Sequence, residues 1–330
     1  MSLHDVPIID IAPSLAGDTA AQRRVAAAIG EACRDIGFLV ITGHGVQQDL
    51  IDRVEAASRD FFDLPLDEKM KVGRPAPDVT RGYIPIRAEA LERGRGKAGA
   101  PGDLNESFMI GPLDAPGDAY HRGPAAGKHF HPNLWPERPV ELQPAWTAYF
   151  HAMSALAQHV MRLFALALDL PEQFFDAKID RHISRLRVRN YPAPATPPEP
   201  GQVRAGAHTD YGSLTILKTE AKPGGLQVCN RAGQWVDVPV VPDCYIVNIG
   251  DMMARWTNDR WVSTLHRVVN PPMEQAAVSR RQSLVFFHNP NYDAEIECIP
   301  TCLAPGAQPK YEPTTSGEHL RTQFLRTQAY

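Results

Sequence analysis

HTDYGSLTIL, residues 208–217, is the stretch on which the reading of this chain turns. A histidine and an aspartate stand two apart, and the run that follows carries Leu214 and Ile216 at alternate positions. In an extended chain residues i and i+2 project to one face, so His208 and Asp210 would converge at the head of a strand. An imidazole and a carboxylate placed in this way are two metal ligands, or a hydrogen-bonded pair with nothing between them.

The surroundings of that stretch are strand-like. From about residue 183 the texture is of short apolar runs separated by turns: ISRLRVRNY, SLTIL, GGLQVC, QWVDV, CYIVNIG, TLHRVVN and RQSLVFF, with the proline-rich PAPATPPEPG (192–201) as a loop after the first. Such spacing predicts an all-β sandwich or barrel, of which the jelly roll is one form. The first half reads mainly helical after a short strand at VPIIDI (6–11). Asp18 or Thr19 can cap a helix with Val25, Ile29, Ala32, Cys33 and Ile36 at helical spacing, closed by Gly37. FLVITGHGV (38–46) follows as a strand and turn, then a helix with Leu50, Ile51, Val54, Ala57 and Phe61 on one face. A third helix runs from near Pro144 through Trp146, Phe150, Met153, Leu156, Val160, Leu163 and Ala167. RGRGKAGAPG (93–102) reads as a surface loop or, alternatively, a lid. The expected fold is mainly β with helices: a β core over 183–330, wrapped by a mainly helical region over 1–182, as one compact unit.

Bulk properties narrow the function. A net charge of −4 over 330 residues gives no electrostatic footprint for nucleic acid or acidic membranes. The most apolar stretch, residues 153–170, contains His159 and Arg162, which suits a buried helix and not a membrane span. Cys33, Cys229, Cys244, Cys298 and Cys302 form no CxxC pair, and MSLHDVPIIDIAPSL lacks the basic start and long apolar core of a secretory signal. The expectation is a cytoplasmic protein with reduced thiols.

A mononuclear metal site needs a third ligand. Downstream of the HxD only His266, in STLHRVVNP, and His288 lie in strand-like segments. Two histidines and a carboxylate on a β scaffold form the facial triad of non-haem Fe(II) oxygenases, which leaves three coordination positions open. The same donors also suit catalytic zinc. The next strand weighs against zinc. In RRQSLVFFH, alternation puts Arg281, Ser283, Val285 and Phe287 on one face. A guanidinium and a hydroxyl inside an apolar barrel are costly unless an anion satisfies them, and arginine grips a carboxylate bidentately. A small dicarboxylate bridging metal and Arg281 accounts for both.

These residues carry a resemblance. HxD, the distal histidine and RxS, together with DIGFLVITGHGV (35–46), RGYIPI (81–86), NESFMIG (105–111), RNYP (189–192) and VNIGDMMARWTND (247–259), resemble the isopenicillin N synthase-like branch of the iron/2-oxoglutarate-dependent dioxygenases almost end to end. The resemblance implies a double-stranded β-helix (jelly-roll) core. It implies Fe(II) on His208, Asp210 and His266, with Arg281 and Ser283 on the distal carboxylate of 2-oxoglutarate and Tyr191 beside it. It also implies hydroxylation, desaturation or ring closure of a small-molecule substrate with O2, releasing succinate and CO2. The alternative is a 2-oxoglutarate-independent Fe(II) oxidase of the isopenicillin N synthase type. Asp210 argues against halogenation, which in related enzymes needs a small residue there. Phe287, Tyr83 and Phe108 are candidates to touch the substrate or, equally, to pack in the core. Arg189 shares a face with Arg187 and Tyr191, where it would meet an anionic substrate or be salt-bridged at the rim. The prime substrate and the oligomeric state are not legible.

Overall fold

The computed structural model describes residues 6–97, 99–113 and 115–328. An eight-stranded sheet dominates, in the order β1 (Ile8–Asp10), β2 (Phe38–Thr42), β10 (Tyr245–Ile249), β7 (Leu214–Thr219), β12 (Arg281–His288), β5 (Arg185–Tyr191), β4 (Glu106–Ile110), β3 (Gly82–Ile84). Every pairing in it is antiparallel except β1 with β2. A second sheet, β6 (Ala205–His208), β11 (His266–Val268), β8 (Leu226–Cys229), β9 (Trp235–Asp237), completes the core of mostly antiparallel strands.

The two faces of the large sheet do different jobs. Leu39, Ile41, Tyr245, Val247, Leu214, Ile216, Leu284, Phe286, Leu186, Val188 and Phe108 belong to one cluster with the long helices α1 (Thr19–Asp35), α2 (Gln48–Phe62) and α3 (Leu142–Ala167). The alternate residues Phe38, Val40, Ile246 and Tyr191 join Leu226, Val228 and Val268 of the small sheet in a second cluster. Period-two alternation thus splits each strand between a helix-packed outside and a barrel interior.

Local chemistry starts these helices where the sequence reads them. Asp18 caps α1, accepting from the Ala20 and Ala21 amides at 2.8 and 3.2 Å. Gly37 closes it at φ +69°, and a Cβ there would lie 1.9 Å from the Val262 carbonyl oxygen, so only glycine fits. Pro144 falls inside the first turn of α3, two residues after the helix begins. The buried Trp146 on α3 donates its indole N–H to Ser58 Oγ on α2 at 3.0 Å, satisfying the one polar atom it brings into the core. The apolar stretch 153–170 lies mostly within α3, and no helix among the described residues is long and apolar enough to cross a membrane.

Two expectations need correction. The mainly helical first 182 residues give more to the sheet than the strands read at 6–11 and 38–46, because β3 and β4 join them and β1 to β4 supply both edges of the large sheet. His208 and Asp210 do not open one strand either. His208 ends β6 in the small sheet, and Asp210 lies in the turn that leads to β7 in the large one. The reason is the turn itself, where Gly212 packs too close to the His288 carbonyl for a side chain, with a Cβ there at 2.6 Å. The pair straddles the seam between sheets.

Candidate active site

Three side chains meet at that seam. His266 is the register partner of His208 across β11 and β6, and their rings lie 4.3 Å apart. Asp210 Oδ1 is 3.8 Å from the Nε2 atom of each histidine. The ligand atoms of all three lie within 4.8 Å of one another, a spacing that a single ion can span.

The residues behind them set which atoms face inward. His208 Nδ1 lies 2.8 Å from the Gly206 carbonyl oxygen, and His266 Nδ1 lies 3.0 Å from that of Thr264. A carbonyl only accepts, so both Nδ1 atoms carry the proton and both Nε2 lone pairs point at the shared centre. Burial, then the neighbouring His266, push His208 down to about 3, so its imidazole is neutral as a ligand must be. Asp210 Oδ2 accepts from Thr215 Oγ1 at 2.6 Å and Asn248 Nδ2 at 2.7 Å. That leaves Oδ1 as the free donor. Burial works against the carboxylate, but His266, His208 and these two hydrogen bonds outweigh it and bring Asp210 below its ordinary value.

Farther into the barrel Arg281 is 2% exposed. Its register partner on β5 is Tyr191, over whose ring the guanidinium lies at 5.2 Å. It donates to the Gly224 carbonyl at 2.9 Å, to Ser283 Oγ at 3.2 Å and to Thr219 Oγ1, while its Nε has no partner. Thr219 and Ser283 are themselves hydrogen-bonded at 3.1 Å. No carboxylate among the described residues pairs with Arg281. Thr215, which holds Asp210, and Thr219, which meets Arg281, lie on one face of β7 four residues apart, about 13 Å along the strand.

A cavity of about 310 Å³ opens on His208 and Asp210. It is lined by His208, Asp210, Tyr211, Phe287, Asn289 and the arginines of β5, with Leu320 and Phe324 of α4 (Ser316–Gln328) among its walls. Leu91 and Arg93, from a 3-10 turn at Leu91–Arg95, also line it, so the loop over 93–102 begins as a wall of the cavity. Within that loop Ala98 lies outside the described residues.

The sequence matches two family models in succession. Residues 6–138 match the family described as non-haem dioxygenase in morphine synthesis N-terminal, and 183–290 match the 2OG-Fe(II) oxygenase superfamily. The chain belongs to the 2OG-Fe(II) oxygenases. It is 35% identical to the 2-oxoglutarate-Fe(II) type oxidoreductase hxnY of Emericella nidulans, over 97% of this chain and 90% of that protein. It is 31% identical to a homoarginine-6-hydroxylase of Oryza sativa subsp. japonica, over 97% and 96% of the two chains. Among solved structures, a full-length Neurospora crassa protein crystallised in complex with alpha-KG superposes with a TM-score of 0.84 at 35% identity, over 97% of this chain and 95% of that one. The protein is therefore a 2-oxoglutarate-dependent Fe(II) dioxygenase with a jelly-roll core, and the 2-oxoglutarate-independent oxidase reading is set aside.

Within this oxygenase the remaining site expectations fare unevenly. Phe287 lines the cavity. Tyr83 and Phe108, read as substrate contacts or equally as core residues, take the core alternative; they pack with Phe61 on the helix side of the sheet, at 6.0 and 4.8 Å between ring centroids. Their neighbours Ile84 and Met109 take the cavity face instead. Arg189 does line the cavity but donates to Asn105 Oδ1 at 2.8 Å. Arg187 is ion-paired with Glu89 and bonded to Ser107. Burial alone would raise Glu89, yet Arg187, Arg189 and Arg74 bring it down to about 2. A carboxylate from the loop before the Leu91–Arg95 turn thus answers these guanidiniums, which strand β5 alone gave no reason to expect. Thr215, Thr219, Asn248, Glu89 and Arg185 were not read from the sequence. Only Arg185 left a signal, as the first member of the period-two series Arg185, Arg187, Arg189, Tyr191.

Proposed function

We propose that His208, Asp210 and His266 hold the Fe(II) of this oxygenase, that Arg281 with Ser283 holds the distal carboxylate of 2-oxoglutarate beside Tyr191, and that the enzyme hydroxylates a small molecule seated over Phe287. The observation that carries the reading is Arg281, a guanidinium 2% exposed with an unpartnered Nε and no carboxylate partner among the described residues, on the large sheet of the barrel whose small sheet carries His208 and His266. A buried cation so placed is satisfied by an anion that arrives with the reaction. When bound, Fe(II) couples oxidative decarboxylation of 2-oxoglutarate by O2 to oxidation of a substrate C–H bond, with succinate and CO2 released.

The chain's own part is positioning. Gly206 and Thr264 fix the two imidazole tautomers, while Thr215 and Asn248 keep Asp210 to one oxygen, preserving open positions at the metal. Ile84, Met109, Leu320 and Phe324 in the cavity wall would help to keep bulk water from the reacting centre. The net charge of −4 gives no electrostatic footprint for nucleic acid, and the five free cysteines accord with a reducing, cytoplasmic setting. The test is direct: protein loaded with Fe(II) should form succinate from 2-oxoglutarate in an O2-dependent manner, and formation indifferent to O2 would reject the reading.

Freeing Asp210 Oδ2 should loosen the site. Asn248→Ala or Thr215→Val is expected to weaken Fe(II) binding about tenfold, the lower end of what outer partners of metal ligands contribute. Metal titration of the variants checks this; unchanged affinity would show that the carboxylate does not need the two bonds.

A further inference from the structure

One buried charge in the cavity is unanswered. Arg185 opens β5, is 7% exposed and lines the cavity wall. Its strand neighbours all have partners: Arg187 has Glu89 and Ser107, and Arg189 has Asn105. Arg74, on the same wall, lies 3.6 Å from Glu89. No carboxylate among the described residues pairs with Arg185, and its guanidinium rests 4.7 Å from the ring centroid of Phe324. A neighbouring charge makes matters worse. Burial, and then the buried Arg81, lower Arg185 to about 9, which leaves it charged at neutral pH. One aromatic ring offsets only part of the desolvation of a guanidinium. A charge kept in a cavity at that cost is the mark of a group that meets a ligand.

Its place relative to the iron ligands is set by register. Arg185 is opposite Phe287 on β12, and Phe287 is opposite Thr215 on β7, whose hydroxyl holds Asp210. One rank of the sheet therefore runs from the metal carboxylate through Phe287 to Arg185, two strand spacings or roughly 10 Å. Beside the paired arginines the wall carries an apolar part made by Ile84, Met109, Leu320 and Phe324.

We propose that the prime substrate is a monocarboxylate with an apolar, ring-sized body. Its carboxylate is held by Arg185 and its body lies on Phe287, so that the carbon facing the iron is remote from the acid group. This rests on the oxygenase reading and names its substrate class. The step balances as hydroxylation: one atom of O2 enters a C–H bond as hydroxyl and the other enters succinate. Oxidative decarboxylation of 2-oxoglutarate to succinate and CO2 supplies two of the four electrons that O2 takes up, and the C–H bond supplies the other two.

The test uses matched pairs of each acid and its primary amide, namely phenylacetate, cinnamate and 2-naphthoate. They are titrated calorimetrically into full-length protein holding Fe(II) and 2-oxoglutarate without O2. At least one acid should bind tenfold or more tighter than its amide, and Arg185→Leu should reduce that preference to within threefold. Because Leu removes an unpaired buried charge, the ligand-free variant should melt no lower than wild type, whereas a merely structural arginine would cost stability. The proposal is overturned if no acid outbinds its amide, or if the preference survives in Arg185→Leu. Wild-type protein that fails to bind 2-oxoglutarate in the same cell would count instead against the oxygenase reading.

Discussion

His208→Ala, Asp210→Ala and His266→Ala should each lower turnover about a thousandfold or more, equivalent to roughly 4 kcal/mol in the barrier. With two ligands the centre loses both metal affinity and the geometry that leaves positions free for co-substrate and O2. The fold should survive each change, for reasons that differ by residue. His208 ends β6, an edge strand of the small sheet, beside the cavity, where truncation removes little core. His266 packs edge-on against Phe38 at 5.3 Å, so its loss opens a small void in the barrel. Asp210→Ala strands the Asn248 amide without its acceptor, at a cost of about 1–3 kcal/mol for an unsatisfied buried donor. Iron content, melting temperature and succinate formation measured together separate loss of metal from loss of fold. Retention of wild-type Fe(II)-dependent turnover by any of the three would remove that residue from the triad.

What the sequence made legible follows from which physical signals are local. Arg281 and Ser283 share a face because side chains alternate in any strand, whatever lies beside it, and their hydrogen bond at 3.2 Å is the result. The Asp18 cap and the Gly37 terminus were equally local. Tyr83 and Phe108 went to the opposite side because β3 and β4 are buried on both faces, and a strand without a polar face carries no mark of which side is inside. The partner of Arg187 was invisible for another reason. Glu89 lies 98 positions earlier in an irregular segment, and no periodicity reaches across that distance. The same holds for Leu320 and Phe324, which reach the cavity from a helix beyond the last strand of the large sheet. Long-range closure, unlike alternation, is a property of the packed chain.

Arg281→Ala should raise the concentration of 2-oxoglutarate needed for half-maximal turnover by about 30-fold or more. Removing one side of a buried, hydrogen-bonded charge pair costs about 2–5 kcal/mol, and about 1.4 kcal/mol corresponds to tenfold. The surroundings of Arg281 explain why nothing nearby can take over. Thr219 and Ser283 are neutral hydroxyls already bonded to each other, and Gly224 offers a carbonyl oxygen that would repel a carboxylate. Ser283→Ala removes one neutral hydrogen bond, worth about 0.5–1.5 kcal/mol, and should shift the requirement by about tenfold at most. Arg281→Lys keeps the charge but loses the two-pronged grip, so it should recover only part of the loss. The same order, Ala worst, then Lys, then Ser283→Ala, should appear when 2-oxoglutarate binding is measured without O2, which excludes an effect confined to turnover. An unchanged 2-oxoglutarate requirement in Arg281→Ala would mean that the co-substrate is held elsewhere, and that the buried guanidinium beside Tyr191 serves the barrel alone.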